Sequence, residues 1–130
     1  MNPRIIRKTA MATLAAGMLT GLAACGEQEG DSAPQAGAIP VEATDNACKV
    51  TPPSAPVGKI AFQVTNKGAK TTEFYLYGPD GNMLSEVEDI SPGTSRTMSL
   101  QVTQPGKYTT ACKPGMTGSG IRGEFTVTGK

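Results

Sequence analysis

Cys112 and Met116, in the stretch ACKPGM, are the residues of this 130-residue chain most suited to a soft metal ion. A thiolate and a thioether at this spacing match half of a type 1 copper site, which also needs two imidazoles. The sequence contains no histidine. A blue copper centre, with the electron transfer it performs, is therefore excluded. Cu(I) favours sulfur, which leaves a second arrangement open: Cys48, Cys112 and Met116 together, provided both thiols are reduced.

Oxygen donors form the other candidate set. Glu86 and Glu88 lie two apart, so on a strand they project from one face. Glu73 and Tyr75 do the same in TEFYLY, with Phe74 and Leu76 turned toward a core. If TEFYLY and SEVED pair as a hairpin around GPDGN, these donors cluster, and carboxylates with a phenolate suit a hard or trivalent cation. The alternative is that they are solubilising side chains on a solvent-facing strand. Met98 alternates with Leu100 and reads as core filling. No catalytic constellation is expected. Without histidine, nucleophile–base pairs are scarce, and no Ser/Lys or carboxylate pair stands out, so the chain reads as a non-enzyme.

The first residues read as a targeting segment. Arg4, Arg7 and Lys8 form a positive region, and Ala10 to Ala24 an apolar one too short to span comfortably. LAAC, Leu22 to Cys25, resembles the cleavage box of bacterial lipoproteins, whose cysteine carries the lipid. The expectation is a signal peptide over residues 1–24 and lipidation at Cys25. The alternatives are an ordinary secretory signal or an uncleaved anchor. Residues 25–38, polar and rich in Gly, Pro and Ser, read as a flexible tether. Location is then the cell membrane, outside the cytoplasm. Without Arg4, Arg7 and Lys8, nine basic residues face eleven acidic ones, a net charge of about −2. Neither sign dominates and no basic run exists, so nucleic acid is not an expected partner. In an oxidising compartment a Cys48–Cys112 disulfide is the default, and it competes with the Cu(I) arrangement.

From Ile39 to Lys130 the pattern is alternation punctuated by turns, which is the signature of short strands. Ile60, Phe62 and Val64 alternate in KIAFQVTN, Met98, Leu100 and Val102 in TMSLQV, and Ile121, Phe125 and Val127 in IRGEFTV. GPDGN, SPGT and QPGK carry turn chemistry. About eight short strands without a helical period predict an all-β sandwich over residues 39–130. Three Phe, three Tyr and no Trp predict a modest aliphatic core, which raises the weight on a disulfide.

The Pro-Gly turn, alternating strand, second Pro-Gly, aromatic residue and cysteine of ISPGTSRTMSLQVTQPGKYTTAC resemble the cupredoxin family. The domain as a whole is similar to the cupredoxin-like domain of the periplasmic component of Efe-type iron uptake systems. The matching stretches are ACKV, FQVTNKG, TEFYLY, EVEDISPGTS, PGKYTTAC and GEFTVTG. The resemblance implies an eight-stranded Greek-key β-sandwich that binds copper or ferric iron and assists delivery to a membrane permease. It also implies acidic residues at the positions of Glu73, Glu86 and Glu88, with Tyr75 replacing a further acid. In that family a helical domain with a His-x-x-Glu motif follows, and no such motif occurs here. The expectation is a lipid-anchored accessory or stand-alone relative. The competing expectation is a metal-free structural or interaction sandwich at the cell surface.

Overall fold

The structure is a computed structural model that describes residues 34–130. The expected signal peptide, Cys25 and most of the tether lie outside the described residues.

Alternation builds two sheets. One runs β2 (Cys48–Val50), β1 (Ile39–Ala43), β4 (Gly58–Asn66), β7 (Ser95–Val102). The other runs β3 (Ser54–Pro56), β9 (Ile121–Thr128), β8 (Gly106–Cys112), β5 (Thr72–Tyr77), β6 (Met83–Ile90). β1 is parallel to β4 and β3 to β9, and the other pairs are antiparallel. After β5, β6 and β7, β8 returns beside β5, while β6 and β7 lie against each other at the sheet edges. That order is a Greek key, so the fold is the expected all-β sandwich.

Along the strands alternate residues turn inward, except where β6 carries a bulge. Phe62, Phe74 and Phe125 meet at the centre, with Phe62 5.3 Å from the Phe74 ring and 5.1 Å from the Phe125 ring in tilted and edge-on geometry. Such offsets suit the ring quadrupoles. Val41, Ile60, Val64, Leu76, Ile90, Met98 and Val127 fill the remaining space. Met98 is a core residue, as its alternation predicts.

Two ends close this barrel-like sandwich. At one, a disulfide joins Cys48 of β2 to Cys112 of β8 and so ties the two sheets together. Asn66 is buried at the same end, with Ala43 of β1 between it and Cys48 in the sheet. Its side-chain amide donates to the carbonyls of Lys70 and Ile90 and accepts from the Gly68 amide. The SPGT turn reverses β6 into β7 here, with Thr94 N–H donating to the Ser91 carbonyl and Gly93 at φ +79°. A side chain is strained at that φ, so glycine is required.

The other end carries the β5–β6 hairpin around Gly78–Asn82, where Gly78 N–H donates to Asn82 and the Asp80 carboxylate accepts from the Asn82 amide. QPGK differs from the tight turn its sequence predicts. Gly106, at φ +153°, already pairs with Val127 as the first residue of β8. The Tyr108 hydroxyl donates to the Gln104 carbonyl, 2.7 Å away, and pins this connection to the core. Among the described residues, no helix is long and apolar enough to cross a membrane.

Candidate functional site

β5 alternates as its sequence predicts: Phe74 and Leu76 are fully buried between the sheets. Glu73 and Tyr75 point the other way, yet they are only 8% and 7% exposed. The cover comes from the chain after β8. Lys113 N–H donates to the Glu73 carbonyl, which extends the β5–β8 ladder. Gly115 N–H then donates to the Thr71 carbonyl and draws the short 3-10 helix Pro114–Met116 against β5. Lys113 lays its ammonium 4.0 Å from the Tyr75 ring centre. Tyr75 stacks on Tyr77, and the Arg122 guanidinium lies 4.8 Å from the Tyr77 ring. Two cations thus flank a pair of stacked rings on this face.

The Tyr75 hydroxyl donates to Glu73 Oε2 at 2.6 Å. β6 pairs antiparallel with β5, and the register sets Glu86 directly opposite Tyr75. Burial pushes the Tyr75 phenol far above its ordinary value, and the hydrogen bonds and negative charges of Glu73 and then Glu86 add to the shift. Removing the proton would place a third negative charge beside two carboxylates in a partly dry site.

Glu73, Tyr75 and Glu86 are therefore brought together, as hairpin pairing predicts. Glu88 is exposed and sits where the register slips, since between the pairs Thr72–Ile90 and Phe74–Val87 the single residue Glu73 of β5 stands opposite Glu88 and Asp89 of β6. Asp89 takes φ +52° in that bulge. The solvent-facing alternative fits Glu86 and Glu88 but not Glu73 or Tyr75. Among the described residues no three His, Cys, Asp or Glu side chains group as a metal cluster. Tyr77, Lys113 and Arg122 were not among the residues singled out as candidates. The alternation of β5 already sets Tyr77 on the Glu73 face, whereas Lys113 becomes a neighbour only through strand pairing.

The sulfur donors are differently placed. Cys112 is fully buried and bonded to Cys48, so neither sulfur is a thiolate. The Cys48/Cys112/Met116 arrangement for Cu(I) is therefore not formed. Met116 lies on the 3-10 helix, 42% exposed and at φ +56°. With no imidazole in the chain and no thiolate at Cys112, the residues do not fit a type 1 copper ion.

Nine strands in a two-sheet Greek key, with a cysteine closing β8, define a cupredoxin-like sandwich. The profile of the cupredoxin-like domain matches residues 11–127, and the chain belongs to that family. Among solved structures it is similar to dithionite-reduced auracyanin from the photosynthetic bacterium Roseiflexus castenholzii. The identity is 18% and the TM-score 0.55, over 70% of this chain and 96% of that one. Auracyanin B is similar at 16% identity and a TM-score of 0.56, over 77% and 95% of the two chains. At this identity the likeness shows the fold. No curated protein matches the chain in sequence.

Proposed function

We propose that this protein is a lipid-tethered, extracytoplasmic cupredoxin-like domain that binds an iron or copper ion through oxygen donors on its β5–β6 face and assists iron uptake. The observation that carries the metal reading is the Tyr75 phenol held between Glu73 and Glu86. A hard cation is the natural replacement for the shared proton and for the Lys113 charge beside it. The lipoprotein-like box at Cys25 supports the tether, and the Cys48–Cys112 disulfide accords with an oxidising compartment. The Efe-type stretches of the sequence support iron uptake, with an iron permease complex as partner. The role is one of binding and not of catalysis.

A second reading, a metal-free domain that holds a partner protein at the surface, is favoured by one observation. The Glu73 carboxylate already accepts from the Tyr75 hydroxyl, and the Lys113 ammonium lies over the Tyr75 ring, so the cluster has partners of its own. One titration separates the two readings. Under the first, Fe(III) supplied as a weak chelate, or Cu(II), binds tighter than about millimolar and raises the melting temperature. Glu73→Gln and Glu86→Gln each weaken that binding about tenfold or more. No binding, no thermal shift, or an affinity indifferent to both substitutions leaves the second reading standing.

A further inference from the structure

Of the three exposed large hydrophobic residues among those described, two are adjacent at the hairpin end: Met83, 50% exposed, and Leu84, 48%. Leu84 also borders an open groove of about 300 Å³ whose apolar lining comes from Leu100, Val102 and Tyr108. The apolar surface thus continues from the tip of β6 into the seam between the sheets. Patches of this kind on a small domain mark a surface that meets a partner or a membrane.

The charges nearby choose between those partners. Lys59, Lys107 and Lys130 are exposed around this end. Lys59 pairs with Gln101 in register, Lys107 with Thr126, and Lys130 borders Gln101–Thr103. Against them stand Asp80 in the hairpin and Glu124, which is bonded to Lys107. In the half of the domain that carries the disulfide the signs balance: Glu42, Asp45, Glu73, Glu86, Glu88 and Asp89 face Lys49, Lys67, Lys70, Arg96, Lys113 and Arg122. An apolar tip ringed by lysines complements an anionic lipid surface.

The chain path is compatible. The described residues begin at Pro34 on the outside of the first sheet, where Ser99 Oγ donates to Gln35 and Gly37 borders Lys59–Ala61 in the hairpin-side half of β4. Eight residues lie between Cys25 and Pro34, so nine chain steps give a reach of at most about 30 Å. A lipid on Cys25 would keep this part of the domain within that distance of the bilayer.

We propose that the hairpin end, with Met83 and Leu84 at its tip and Lys59, Lys107 and Lys130 around it, is a membrane-facing surface that seats the domain on anionic headgroups. This rests on the tether reading above. The disulfide end then faces away from the bilayer.

The chain contains no tryptophan, so one introduced indole reports alone. The full lipoprotein is reconstituted into phosphatidylglycerol vesicles as Leu84→Trp and Met83→Trp, with Asn46→Trp at the disulfide end as the control. The expected result is blue-shifted emission from positions 83 and 84 and loss of most of it when the acyl chains are brominated. High salt weakens the effect and position 46 is unaffected. The mass of Cys25 is read on the same samples. Unquenched emission at 83 and 84 with the lipid in place overturns the surface alone. A Cys25 without lipid overturns the tether, and the surface with it. A blue shift that follows protein concentration and not lipid assigns the patch to a second copy and also overturns the proposal.

Discussion

Tyr75 holds a proton between two carboxylates on a face where most side chains meet water. Its hydroxyl is the donor that Glu73 receives in a nearly dry position. Tyr75→Phe keeps the ring stacking and the Lys113 contact but leaves that carboxylate without its donor, a loss of about 1–3 kcal/mol. Urea denaturation at neutral pH checks it. The phenol also sets a pH dependence of known sign. Its pKa is raised in the fold, chiefly by burial and then by Glu73 and Glu86. Below about pH 10 both folded and unfolded chains keep the proton, and the stability is fully present. Above it the unfolded chain releases the proton while the folded chain retains it. Stability should therefore fall with pH from about 10 upward, by at most about 1.4 kcal/mol per unit, until the folded value is passed. In Tyr75→Phe this contribution to the slope is absent, and comparing the two proteins by denaturation at pH 9 to 11 isolates it.

Strand ends, rather than strand centres, set the geometry of the molecule. Asn66 joins the end of β4 to the following loop through Lys70 and Gly68, and to the end of β6 through Ile90. Asn66→Ala would leave the buried Ile90 carbonyl, and with it the part-buried Lys70 carbonyl and Gly68 amide, without this partner and should cost about 1–3 kcal/mol. Thermal unfolding checks it, with the Thr65→Ala change in the same strand as a mild comparison. The interiors of the elements were legible in the sequence, because a period of two marks the inward residues directly: Ile60, Phe62, Val64, Phe74, Leu76, Phe125 and Val127 all face the core. The hairpin that sets Tyr75 opposite Glu86 was legible from GPDGN. Three features were not. Glu73 and Tyr75 are buried because a segment some forty residues later covers them, and no local pattern carries that information. The Glu88–Asp89 bulge breaks the alternation that would keep Glu88 on the Glu86 face. Gly106 has turn chemistry but pairs at once with Val127, since the Tyr108 hydroxyl supplies the restraint a tight turn would have supplied.

For the whole molecule, the Cys48–Cys112 bridge crosses from one sheet to the other and encloses a sequence separation of 64. Reduction, or the double change Cys48→Ala/Cys112→Ala, should lower stability by about 4 kcal/mol in the chain-entropy view. That is a large share of the 5–15 kcal/mol typical of a domain, roughly. Urea curves with and without reductant measure it, and the intact protein should not react with thiol reagents until it is reduced. The scaffold is that of the cupredoxin-like family, while the sulfur that could serve a metal serves the fold. The same bridge has a consequence for how the protein is made. Three cysteines allow three pairings, but with Cys25 acylated, as proposed, only one remains. Maturation then requires an oxidant and no correction of wrong partners: the cell must supply an oxidase, and an isomerase has nothing to repair.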